Sequence, residues 1–245
     1  MLSILIPVHN ALEYLKECLA SIEKNTKGEY EIIILNDKSD EETTHFLQDY
    51  VYGFSGRIQL FHNDEQQWVN FNWNAGVELA NGEHIVIINS DIRVPPNWNE
   101  HLIEVLTDDV MISCPFEYVM QEGKLCAFTI KPFMPPHMIK GNCFMFRAKD
   151  KGKMFPIPSQ IKHWCGDNYI ADQCLRHKKK VIFTRKVIIA HAITKSTNFN
   201  DDGEKKQYWT RVLTDLKEYM KVAHKKSIPY EKPIIENIKK IVRSL

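Results

Sequence analysis

Over the first 115 residues, runs that are apolar throughout alternate with segments carrying apolar residues every three or four positions. The apolar runs "SILIPV", "EIIILND", "RIQLFHN", "HIVIINSD" and "VMISCP" predict strands. Between them, Leu12, Leu15, Leu19 and Ile22 predict a helix over 11–25. A second helix is predicted from Ser39 and Glu42, which stand at capping-box spacing. "NFNWNAGVELANG" (70–82) and "PNWNEHLIEVL" (96–106) predict two more. Strands alternating with helices predict an α/β domain whose mostly parallel sheet is covered on both faces, which is why its strands need no polar side.

Beyond residue 115 the pattern changes. "FEYVMQEGKLCAF" predicts a hairpin around Glu122-Gly123, and "MIKGNCFMFRA" a strand returning to the sheet. "GDNYIADQCLRHKK" predicts a helix, followed by "KVIFT" and "VIIAHAI" as two short strands. From 204, Trp209, Val212, Leu213, Leu216, Tyr219 and Met220 share one helical face, and a last short helix is predicted after Pro233. The expected organisation is one domain over 1–203 with a C-terminal helical extension over 204–245.

Composition narrows the class without choosing a function. A chain with 44% hydrophobic and 26% charged residues is ordinary globular material, and a net charge of +1 argues for no polyanionic partner. No apolar run approaches the roughly 20 residues of a membrane span. Six dispersed cysteines without a CxxC pair predict reduced thiols and a cytoplasmic compartment.

Polar residues gather where the predicted strands end: "PVHN" with Pro7 and Asn10, "LND" with Asp37, "NSD" with Asn89 and Asp91. A single aspartate after a strand is most often a turn former or a cap. Several such ends on one edge of a parallel sheet predict a ligand crevice. The dinucleotide fingerprint GxGxxG, the P-loop, the GxSxG elbow and HExxH are all absent, and 10 glycines leave little backbone for wrapping phosphates. Carboxylates can instead hold a diphosphate through Mg²⁺ or Mn²⁺.

"SILIPVHNALEYLKECLASI", "YEIIILNDKSDEET" and "NWNAGVELANGEHIVIINSD" together resemble the inverting GT-A nucleotide-sugar glycosyltransferases, the family 2-like group, and the resemblance runs to about residue 197. It implies the GT-A fold and a glycosyltransferase, hexosyl or pentosyl, using a nucleoside-diphosphate sugar, UDP first. It places Pro7, Asn10, Asp37 and Asn74 at the nucleotide, with Gly76 on the same helix. Asn89-Ser90-Asp91 stands for the family's Asp-x-Asp: Asp91 ligates the metal, with His191 as a further ligand, and Asn89 faces the ribose. Gly141 falls near the sugar and acceptor. Asp167 is the general base, with Asp172 as runner-up, and Trp164 offers a stacking face. Lys195 and Ser196 fall on a loop near the diphosphate. The chain departs from the pattern at Asn36, Asn89 and Gly166, where the family usually has acidic residues.

The implied acceptor is a hydroxyl, on a saccharide or on a hydroxylated DNA base. The basic runs at 176–180 and 224–226 bear on the second reading. A nucleotidyltransferase and an inactive nucleotide-binding module are the other readings. The last helix pairs an apolar stripe with Lys239, Lys240 and Arg243, so a peripheral membrane contact is the lesser alternative to packing on its own domain.

Overall fold

The computed structural model describes residues 1–121, 124–128, 139–192 and 201–244. The chain runs β1 (Leu2–Val8), α1 (Leu12–Asn25), β2 (Tyr30–Asn36), α2 (Glu41–Gly53), β3 (Arg57–His62), α3 (Val69–Leu79) and β4 (His84–Ile88). It continues through β5 (Ile92–Arg93), α4 (Trp98–Glu104), β6 (Val110–Gln121), β7 (Lys124–Phe128), β8 (Cys143–Arg147), α5 (Lys151–Met154) and α6 (Gly166–Arg176). It closes with β9 (Lys180–Ala192), α7 (Asp202–Val222) and α8 (Ile228–Ser244).

The strands form one sheet in the order β3-β2-β1-β4-β8-β6-β9-β5, with β7 paired to β6. The half from β3 to β4 is parallel. β8 enters antiparallel to both β4 and β6, so the sheet is mixed rather than mostly parallel. Alternation along each strand divides the core. Ile4, Ile6, Ile32 and Ile34 meet Leu15, Leu19 and Ile22 of α1 on one face, while Leu5, Ile33, Ile85 and Ile87 meet Trp73 and Val77 of α3 on the other. Val212, Leu216 and Tyr219 of α7 and Ile238 of α8 belong to that second cluster, so the C-terminal helices pack into the core.

Three local expectations change. The N-cap of α2 is Asp40, whose carboxylate accepts from Thr43 N–H at 2.8 Å, while the Ser39 hydroxyl accepts from Asn10 N–H. The two short strands expected at 180–193 are one strand, interrupted where its pairing with β6 jumps from Thr184 to Ile188. α8 begins at Ile228 and carries Pro233 inside it. β6 and β7 pair as a hairpin at Gln121 and Lys124, and its turn, Glu122-Gly123, lies outside the described residues.

Candidate functional site

A cleft of about 460 Å³ opens at the carboxyl ends of β1, β2 and β4. Pro7, Asp37, Asn89, Asp91, Trp164 and His191 line it, together with His9, Trp68, His163 and Tyr208. Six of the expected site residues, drawn from distant parts of the chain, therefore share one cavity. Lys195 and Ser196 lie outside the described residues.

Asp37 forms the floor of one end. Its carboxylate accepts from Gln67 N–H at 2.7 Å, Trp68 N–H at 2.9 Å and the Asn63 amide at 2.9 Å. These bonds hold Trp68 at φ 70° and ψ 166°, a region that L residues avoid. The Arg211 guanidinium stacks 3.5 Å from the Trp68 ring centroid. Asn36 stands where the family usually has a carboxylate. It donates to Thr44, accepts from Ser39 N–H and lies 2.9 Å from His62 Nδ1.

Two expected nucleotide contacts have other partners. The Asn10 amide accepts from Asp40 N–H at 2.7 Å and so joins the end of β1 to the start of α2. Asn74 donates to the Ile157 carbonyl at 2.9 Å and accepts from Ile157 N–H at 2.8 Å. It lines a smaller neighbouring hollow of about 190 Å³. Gly76 lets α3 approach the sheet, because a Cβ there would stand 2.9 Å from Leu35 Cδ1.

The other end of the cleft is acidic. Asp91, 9% exposed, lies with Oδ2 3.5 Å from His191 Nε2. The ring's opposite nitrogen, Nδ1, is 3.3 Å from Glu117 Oε2. Burial opposes charge on His191, but hydrogen bonds and charge from Asp91 and Glu117 outweigh it and raise the imidazole to about 9. Glu117 escaped the sequence reading. Its signal was present: it is the lone charge between Val110 and Met120.

Asp167 is the second residue of α6, whose N-cap Cys165 adopts a left-handed φ of 64°. Burial raises its carboxyl above the ordinary value, opposed by hydrogen bonds from the Asn168 and Gly141 backbone. A Cβ on Gly141 would lie 3.4 Å from Asp167 Oδ2, so Gly141 sits against the carboxylate. Neither residue lines the cleft itself, whereas Trp164, three residues earlier, does. Asp172, the alternative base, is buried and engaged by other elements. It is 1% exposed and accepts from Tyr219 Oη at 2.9 Å, His224 N–H at 2.5 Å and the Ser227 hydroxyl, which anchors the junction of α7 and α8.

The helix read as a tail builds one wall. Tyr208, Arg211 and Asp215 follow one another at i, i+3 and i+7. Asp215 accepts from three consecutive backbone N–H groups, Lys162 at 3.2 Å, His163 at 2.8 Å and Trp164 at 2.8 Å. Trp164, 40% exposed, meets Tyr208 and His163 edge to face at 6.1 and 5.9 Å.

A divalent cation fits between Asp91 and His191. Their 3.5 Å separation suits two ligands of one ion with bonds of about 2.1 Å, and electrostatics that raise an imidazole to about 9 also attract a cation. Among the described residues no group of three or more His, Cys, Asp or Glu forms a metal cage. Diphosphate and water would complete the coordination, as is usual for Mg²⁺.

The glycosyl transferase family 2 model matches residues 3–156, more than half of the 245. The chain belongs to that family. EpsH of Bacillus subtilis (strain 168) is 30% identical over 156 residues, covering 61% of this chain and 44% of its own. The chain spans under half the length of several curated relatives it matches. The solved mannosyltransferase PcManGT from Pyrobaculum calidifontis, in complex with GDP-Man and Mn²⁺, aligns with a TM-score of 0.69 at 11% identity, over 99% of this chain and 72% of that one. GalNAc-T7 with UDP, GalNAc and Mn²⁺ aligns with a TM-score of 0.64 at 16% identity, over 78% of this chain and 44% of that one. At these identities the likeness establishes the GT-A fold of this family member. Among the described residues no helix is long and apolar enough to cross a membrane.

Proposed function

We propose that the chain is a metal-dependent inverting glycosyltransferase that moves a sugar from a nucleoside diphosphate to a hydroxyl. The observation that carries this reading is the Asp91–His191 pair, set in a strand-end cleft whose other end is the Asp37 floor. Asp91 and His191 would hold Mn²⁺ or Mg²⁺, which neutralises charge on the departing diphosphate. Asp167, raised by burial, takes the acceptor proton as its oxygen attacks the anomeric carbon. The bond to the diphosphate breaks on the opposite face and the configuration inverts. Asp37 and the Trp68 loop enclose the base, with UDP-sugars the first donors to try.

A saccharide precedes a DNA base as acceptor because Trp164 and Tyr208 give the cleft an aromatic wall. The basic run 176–180 is partly engaged internally: Arg176 donates to the Val222 carbonyl and Lys179 to the Asp108 carbonyl. An inactive binding module loses ground, since one departure from the family pattern, at Gly166, has a local structural cause. Cys18, Cys114, Cys143, Cys165 and Cys174 are free and buried, which supports a reducing, cytoplasmic setting.

The test is turnover of UDP- and GDP-sugars with Mn²⁺ and simple saccharides, read as released nucleoside diphosphate and as the anomeric proton coupling of the product. Inversion is expected. Retention of configuration, or no turnover with any pair, would contradict the reading.

A further inference from the structure

Glu117 lies on β6, which runs parallel to β9. It pairs with Ile189, two residues before His191, so the side chains of Glu117 and His191 rise from the same face of the sheet. A carboxylate buried to 6% exposure in an otherwise uncharged strand needs partners. Lys140 and the Asn142 amide both donate to it, and His191 Nδ1 stands 3.3 Å away. Asn142 Nδ2 also lies 3.3 Å from His191 Nδ1. A carboxylate can only accept, so the Glu117 contact requires the proton on Nδ1. With Nδ1–H donated to Glu117, Nε2 is the ring nitrogen left facing Asp91 and the cleft, where a cation would replace its proton.

We propose that Glu117 is a positioning residue for the metal: it fixes the tautomer and ring orientation of His191 so that Nε2 faces the ion shared with Asp91. This inference rests on the metal-dependent reading above. A histidine that binds a metal commonly donates its other ring N–H to a carboxylate, which orients the ring and raises its basicity. Lys140 and Asn142 hold Glu117 in place. Between them, the Gly141 backbone hydrogen-bonds Asp167, so three successive residues brace the metal ligand and the proposed base together.

The probe is Mn²⁺ itself, with and without UDP, titrated against the full chain and read from the free-ion electron paramagnetic resonance signal. Wild type is expected to bind one ion, and Glu117→Gln to bind it about 10–100-fold more weakly. In a His191→Ala background the same change should have no further effect, because Glu117 acts through the ring. If wild type binds no Mn²⁺ under either condition, the metal reading fails and this inference with it. If wild type binds but Glu117→Gln is unchanged, or weakens binding equally without His191, only the positioning role is overturned. A nitrogen-15 spectrum of the wild-type histidines with Mg²⁺ needs no variant. It should show His191 protonated at Nδ1 and not at Nε2, and the reverse assignment overturns the role.

Discussion

The Asn70 side-chain oxygen occupies the space in which a Cβ on residue 166 would stand. The same amide donates to the carbonyls of Ile161 at 3.0 Å and Trp164 at 3.3 Å. Asn70 on α3 thereby fixes the segment that delivers Asp167, and residue 166 has to be glycine. Gly166→Ala should destabilise the fold by about 1–3 kcal/mol, the range for overpacking a filled interior. Equilibrium urea denaturation measures it. Gly166→Glu, which restores the residue usual in the family, should lower activity rather than raise it.

That pair also marks a limit of sequence reading. The glycine was visible as a departure, but its cause lies 96 positions away and emerges only when α3 packs on the 161–166 segment. The strand-end residues were legible because a parallel sheet brings its carboxyl ends to one edge whatever the loops do. Pro7, Asp37, Asn89 and Asp91 accordingly reach the cleft. Asn10 and Asn74 bond to backbone groups, because an amide serves a backbone as readily as a ligand, and sequence alone does not say which. Asp215 and Glu117 went unread because the partners of each come from other elements: Asp215 looks like one more charge on an amphipathic helix, and Glu117 is a lone charge in a strand.

Asp215 neutralises three adjacent backbone donors, which no apolar residue could do. Asp215→Ala should cost about 1–3 kcal/mol for donors left buried without partners. It should also free Trp164, read as increased acrylamide quenching of tryptophan fluorescence under native conditions.

Asp167 should set the acid limb of the pH–rate profile. Its folded pKa lies above the ordinary carboxylate value, so the base is lost to protonation at a higher pH than an exposed aspartate would be. The linkage has the matching sign. Burying the charged form opposes folding at neutral pH, and that penalty fades as pH falls through the raised pKa. Asp167→Asn should therefore abolish transfer while melting at or above the wild-type temperature at pH 7. A variant with substantial turnover would remove Asp167 from the mechanism.

Asp172 should behave in the opposite way. Asp172→Asn weakens bonds to Tyr219, His224 and Ser227 and should lower the melting temperature, with turnover per folded molecule nearly unchanged.

The central claim is that Asp91 and His191 bind a nucleotide through a cation. Thermal denaturation with UDP, GDP and their sugar conjugates, each with Mn²⁺ and with EDTA, tests it most directly, since a ligand that binds only the folded state raises the melting temperature with its saturation. The account predicts a rise with at least one nucleotide that needs Mn²⁺ and disappears in Asp91→Ala. No rise with any nucleotide, or an equal rise in EDTA, would contradict it.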